Sequence, residues 1–261
     1  MNYPVIALPG GVMPAAIRYA PLQSALGADI KVHTKDLEVY AAEAPPANYT
    51  IDLELAALER FADKLSADRF HLVGYSGGGF VSLAFAGAHP DRLISLAVFE
   101  PARVPGPLSS EEIPLDRELR QALAGKDGSE FMRAFVTRQV RPGVEVPPPS
   151  GPPEPWMRTR PAGLAAMMKG ISDYAFDRNR FRTFGFPVFY AYGDQTSEIE
   201  EVKVSILAAL LPDVHIRRFA GVHHFVPPDR IYTSEHVGDL RALWARAEQR
   251  AGVQHQPAVL A

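Results

Sequence analysis

Short apolar runs alternate along the chain with stretches in which apolar residues recur every three or four positions. That alternation is the pattern of a mainly parallel sheet with helices on both faces, an α/β fold. The runs are Tyr3 to Leu8, Ile30 to His33, Arg69 to Val73, Leu93 to Phe99, Pro187 to Tyr192 and Val214 to Phe219. Each is mostly apolar or β-branched, as strands covered on both faces tend to be. Between Thr50 and Ser66 the residues Ile51, Leu55, Leu58, Ala62 and Leu65 fall at helical spacing, with Thr50 placed as an N-cap. Ile199, Val202, Ile206 and Leu210 predict a second buried helix face, and Val237, Leu240 and Trp244 a third.

The alternation stops from about Pro101 to Gly185, where helical patches such as Phe131, Phe135 and Val136 give way to Pro142, Pro147, Pro148, Pro149, Pro152, Pro153 and Pro155. Proline at that density fits neither a helix interior nor a central strand and predicts an extended, semi-rigid connector. The expected organisation is a core of residues 1–100 and 186–261 with residues 101–185 inserted as a helical cap. A loose tail is expected from about Ala251 to Ala261.

Composition narrows the function classes. With 27 Lys+Arg, 30 Asp+Glu and a net charge of −3, the chain lacks the basic block that a nucleic-acid binder needs. The absence of Cys removes disulfides, thiolate catalysis and thiolate metal sites together. The first apolar run is too short for a signal peptide or membrane span, so a cytoplasmic location without a membrane partner is expected. At 261 residues and 47% apolar content, one core serves the whole chain.

Three segments carry chemistry. In Gly74-Tyr75-Ser76-Gly77-Gly78, a G-x-S-x-G lies between an apolar strand and an apolar helix. A tight turn there exposes the Ser76 hydroxyl, and the N–H of Gly77 at the helix start can face an oxyanion. Leu8-Pro9-Gly10-Gly11-Val12 follows the first strand and offers Gly11 as a second donor. Gly221-Val222-His223-His224-Phe225 follows the last strand, and one of its histidines can serve Ser76 as general base. A metal site is the poorer reading of that pair, because neighbours on an extended loop point apart and no further ligand lies close in sequence.

Elbow, glycine turn and late histidine, each at a strand's end and in this chain order, resemble the α/β-hydrolase family over nearly the whole chain. The resemblance implies Ser76 as nucleophile, the N–H groups of Gly77 and Gly11 as oxyanion hole and His224 as base. Two places remain open for the acid. Asp194 follows the penultimate strand, the family's usual region, although members more often carry the acid a little later, where Thr196 stands. Glu100 ends the strand after the elbow, as in certain haloalkane dehalogenases, and is slightly favoured. Pro9 replaces the His that many members carry before the glycine pair, removing one loop-fixing hydrogen bond. Little chain precedes the glycine turn, so the antiparallel strands that usually come first are expected to be absent or reduced.

Trp156, Met157, Met167, Met168, Tyr174 and Phe176 are expected to form the cap's own core, the alternative being the roof of an acyl pocket lined by Trp156, Met167 and Met168. Arg178, Arg180 and Arg182 are expected on a solvated face. The resulting expectation is a cofactor-free and metal-free serine esterase for a small, largely apolar ester, acting on a small-molecule partner and compatible with a homodimer. A carbon–carbon bond hydrolase with the same triad and a non-catalytic ligand sensor are the alternatives.

Overall fold

The computed structural model describes residues 1–147 and 154–254. Strands β1 (Val5–Leu8), β2 (Val32–Thr34), β3 (Phe70–Tyr75), β4 (Leu93–Phe99), β5 (Val188–Gly193) and β6 (Val214–Phe219) form one sheet in the order β2-β1-β3-β4-β5-β6. Every pairing is parallel, and no antiparallel strand joins this sheet among the described residues. The helices are α1 (Ala15–Leu26), α2 (Ile51–Lys64), α3 (Ser76–Ala88), α4 (Glu112–Leu123), α5 (Gly128–Arg138), α6 (Arg160–Asp173), α7 (Ile199–Leu210), α8 (Pro228–Ile231) and α9 (Ser234–Gln254).

Side chains alternate across each strand, so the sheet feeds two cores. Ile6, Leu8, Leu72, Leu96 and Val98 face one side, where they meet Leu55 and Leu58 of α2 and Phe80 and Leu83 of α3. Val5, Ala7, Val73 and Ala97 face the other and meet Tyr19 and Leu22 of α1 and Leu240 and Trp244 of α9. Helix α3 is buried from Ser76 to Gly87, which is why its sequence is apolar all round. It leaves the central strand β3 directly, fixing the elbow in the middle of the molecule.

Several expectations need correction. Thr50 precedes α2 in extended conformation, but its side chain makes no capping hydrogen bond. On α7 the buried line is Glu200, Lys203 and Leu207, one position round from the apolar set, while Ile199, Val202, Ile206 and Leu210 are half-buried. The reason is polar: Glu200 accepts from the buried Tyr190 hydroxyl (2.6 Å) and pairs with Lys203, which donates to Pro101 O (2.6 Å). Ala251 is buried and α9 runs to Gln254, so the start of the expected tail is helix, while residues 255–261 lie outside the described residues.

Between β4 and β5, Pro155 opens a 3-10 turn (Pro155–Thr159), since the first helical position needs no N–H. The expected connector falls largely on residues 148–153, outside the described residues. Leu123, Phe131, Phe135, Leu164, Met167, Ile171 and Phe181 belong to the same apolar cluster as Leu8 and Phe80, so the described part of residues 101–185 shares the core of the sheet. Tyr174 packs edge-on against Phe80, and Phe176 abuts Gly87 of α3. Of the arginine run, Arg180 and Arg182 are exposed as expected, donating to the carbonyls of Gly87 (3.4 Å) and Ala209 (3.2 Å), whereas Arg178 is half-buried and pairs with the buried Glu112 (2.8 Å).

Candidate active site

Strand register brings the key positions together. Tyr75 pairs with Phe99, and Phe99 with Ala191, so Ser76 and Glu100 each stand one residue beyond the ends of adjacent strands. Both take left-handed backbone angles, with φ of +52° and +44°. For non-glycine residues such angles cost about 1–3 kcal/mol each and persist only where surroundings enforce them. At the elbow the enforcement is visible: a Cβ on Gly78 would strike the carbonyls of Leu8 and Pro9, and one on Gly74 would strike the backbone of Gly78 and Gly79. Only glycine lets strand and helix approach so closely.

The Ser76 hydroxyl lies 3.0 Å from His224 Nε2, and His224 Nδ1 lies 2.6 Å from Glu100 Oε2. All three are buried, Glu100 completely. The second carboxylate oxygen, Oε1, accepts from Gly193 N (2.7 Å) and the Thr196 hydroxyl (2.5 Å). With three donors on two oxygens, the carboxylate has hydrogen-bonded compensation for its burial. The Tyr75 ring stacks on both His224 and Phe99, and its hydroxyl donates to the carbonyl of His224, fixing the imidazole's backbone.

Asp194 is not joined to His224. Its Oδ1 accepts from Gly221 N (2.8 Å), holding the turn that leads into the histidine loop, where Gly221 has φ +69°. His223 turns away and accepts from Phe225 N at Nδ1 (3.1 Å). Burial holds the His223 pKa below its ordinary value, with the Arg230 and His224 charges adding to that effect and Glu100 opposing it.

Gly11 and Gly77 approach each other: Gly11 N is 3.7 Å from where a Cβ on Gly77 would stand. The turn bearing Gly11 is anchored without the usual histidine, because Pro9 O accepts from Gly78 N (2.9 Å) and Leu8 O from the Tyr19 hydroxyl (2.6 Å). Met167 lies against both glycines and Leu164 against Gly11, so α6 crosses directly over the turn. Trp156 and Met168 are half-buried on the same segment. A cleft of about 460 Å³ lies elsewhere, between α4, α5 and α7 and bordered by Arg103, Arg138 and Arg141. Its lining includes neither Ser76 nor His224, so its size says nothing about this chemistry.

Sequence reasoning missed three contributors: Tyr75, Gly193, and Thr196 as a donor. Only Thr196 left a signal, by standing where relatives more often place the acid. Among the described residues no three His, Asp or Glu side chains gather as metal ligands, and no helix is long and apolar enough to cross a membrane.

The model of the alpha/beta hydrolase fold family matches residues 4–230. The chain belongs to that family. Over 97 residues it is 33% identical to the protein named "Putative carbamate hydrolase RutD" of Caulobacter segnis, a match spanning 36% of each chain. The chain thus matches little more than a third of that relative's length. Among solved structures, a thermophilic esterase from Thermogutta terrifontis superposes with a TM-score of 0.69 at 17% identity, covering 95% of this chain and 91% of the other. The carboxylesterase CesB of Bacillus subtilis gives 0.65 at 16% identity, covering 93% and 84%. At such identities these two likenesses concern the fold.

Proposed function

We propose that the chain is a serine hydrolase that cleaves a small, largely apolar ester or related acyl compound through an acyl-enzyme. The observation that carries this reading is the continuous hydrogen-bonded line Ser76–His224–Glu100, with Gly11 closely approaching Gly77, the residue after Ser76. Ser76 Oγ attacks the carbonyl carbon while His224 Nε2 takes its proton. Glu100 holds the imidazole by Nδ1 and balances the imidazolium that forms. Gly11 and Gly77 donate to the oxyanion, each such donor being worth roughly 3–4 kcal/mol of barrier in serine hydrolases. His224 then returns the proton to the leaving group, and water, deprotonated by the same nitrogen, releases the acid.

Support for an apolar substrate comes from Leu164 and Met167, which meet the oxyanion turn with hydrocarbon and thioether. The name of the Caulobacter relative adds carbamates to the candidates, since a carbamate carbonyl is attacked in the same way. The test is a hydrolysis panel of short neutral esters, carbamates and vinylogous diketones. Ester cleavage that disappears in Ser76→Ala is the expected result. Cleavage of diketones alone would move the reading to carbon–carbon bonds, and no turnover at all would overturn it.

A further inference from the structure

Beside the oxyanion turn the Arg160 guanidinium, the Tyr40 hydroxyl and Trp156 Nε1 gather, and among the described residues no carboxylate or carbonyl accepts from them. Arg160, the first residue of α6, is 4% exposed, yet among the described residues no carboxylate or carbonyl pairs with its guanidinium; its Nε is fully enclosed and its polar neighbour is the Tyr40 hydroxyl. The guanidinium carbon stands 3.9 Å over the Tyr40 ring and 5.3 Å from the Trp156 ring. The Tyr40 hydroxyl and Trp156 Nε1 are likewise enclosed, and among the described residues neither donates to an acceptor. Burial raises the Tyr40 pKa above its ordinary value, with Arg160 offsetting only part of the shift, so the phenol stays a protonated donor. A buried cation without an anion is disfavoured, and the buried Lys35 and Lys203 are matched with Glu38 and Glu200, whereas Arg160 has only the Tyr40 and Trp156 rings and the Tyr40 hydroxyl. Arg18 also lacks an ion pair, but it lies in the opposite core, stacked on Tyr75. Glu54, the carboxylate that bears on the Tyr40 charge, is occupied by the N–H groups of Glu38 and Val39 and the Tyr49 hydroxyl.

The cluster also points at the reacting centre. Arg160, Leu164 and Met167 are spaced i, i+4, i+7 and share one face of α6. The latter two lie on Gly11 and Gly77, and the Tyr40 hydroxyl is 3.2 Å from where a Cβ on Gly11 would stand. Along the α6 axis, about 6 Å therefore separates Arg160 from Leu164 and about 10 Å separates it from Met167.

We propose that Arg160, with the Tyr40 hydroxyl and Trp156 Nε1, binds a carboxylate on the substrate, so that the preferred compound is a monoester of a short dicarboxylic acid. A planar carboxylate matches the guanidinium fork and leaves oxygens for the two neutral donors. Its apolar spacer would lie against Leu164 and Met167, which must shift off Gly11 and Gly77 to admit it. This deepens the serine-hydrolase reading and rests on it.

The test compares 4-nitrophenyl hydrogen adipate with the neutral 4-nitrophenyl hexanoate of equal chain length. The native protein is expected to favour the acidic ester at least tenfold in kcat/KM, and Arg160→Gln to lower that ratio by 10- to 100-fold, chiefly through KM. Arg160→Lys, which keeps the charge, is expected to restore part of it. A purely structural role would slow both esters alike, and an unchanged ratio overturns the proposal. Calorimetry with monomethyl adipate and methyl hexanoate separates this failure from failure of the hydrolase reading, because binding needs no turnover. Selective binding of the acidic ester, lost in Arg160→Gln, supports the subsite even where nothing is hydrolysed. Equal binding, or none, overturns it.

Discussion

The Thr196 hydroxyl donates to Glu100 Oε1 at 2.5 Å, so the position after β5 supplies a donor to a carboxylate that sits at the end of β4. The two places where family members carry an acid are thus both in use here, one for the carboxylate and one for its support. Thr196→Val removes that donor at nearly constant volume and leaves Oε1 with Gly193 N alone. The expected result is a roughly tenfold fall in kcat with KM little changed, repaired by Thr196→Ser, because one charge-assisted hydrogen bond is worth about 1.5–3 kcal/mol and only part of it bears on the transition state. Equal loss in Thr196→Ser and Thr196→Val would indicate packing instead.

The two acidic candidates separate by substitution. Glu100→Gln keeps the shape but offers His224 the wrong partner, and kcat is expected to drop by about 10³–10⁴. Asp194→Asn loosens the Gly221 turn and is expected to cost less than about tenfold. Steady-state kinetics on a common ester measures both. The reverse ranking would make Asp194 the functional acid and require a loop arrangement different from the one described.

How far the site was legible in the sequence depends on the direction of each contact. Strands β4 and β6 coincide with the apolar runs that predict them, and the elbow, glycine turn and histidine loop are each local patterns. The choice between Glu100 and Asp194 is not local. It depends on Gly193 N and Thr196 converging on Glu100 across 93 and 96 residues of chain. The buried face of α7 was hidden for a related reason. Apolar spacing predicts the face with Ile199 and Val202, whereas the buried Tyr190 hydroxyl and the Pro101 carbonyl draw in Glu200 and Lys203. Arg160 carries no sequence signal either, since nothing in Arg160-Pro161-Ala162 distinguishes it from a surface arginine.

The Glu200–Lys203 pair gives a stability prediction. Both side chains are almost fully buried, and burial raises the Glu200 pKa while Lys203 opposes that rise. Lys203→Met leaves the buried Glu200 carboxylate with the Tyr190 hydroxyl alone and strips Pro101 O of its donor, an expected loss of about 3–5 kcal/mol in urea unfolding. The double substitution Lys203→Met, Glu200→Gln is expected to recover much of that loss, since it removes the charge as well as its partner. A double variant no better than the single one would contradict the ion-pair account.

Stability should also depend on acid pH. Burial lowers the pKa of both His71 and His236 to about 4, with Glu248 opposing the shift at His71 and the Ile231 carbonyl at His236. The folded state therefore prefers both imidazoles neutral. Their contribution is fully present above pH 6.5, the ordinary value, and is lost as pH falls from there towards 4, because the unfolded chain binds protons first. Each accounts for a few kcal/mol at most. Urea midpoints measured from pH 7 to 4 are expected to fall over that window, and His236→Gln to flatten the slope. A midpoint unchanged down to pH 4 would contradict it.

The central claim is that His224 and Glu100 make Ser76 a nucleophile. Intact-mass analysis after treatment with a fluorophosphonate probe tests it most directly, with native protein, Ser76→Ala and His224→Gln side by side. The account predicts one adduct on the native chain, mapped to the peptide containing Ser76, none on Ser76→Ala and greatly slowed labelling of His224→Gln. A folded native chain that takes no label, or one labelled equally after Ser76→Ala, would contradict it.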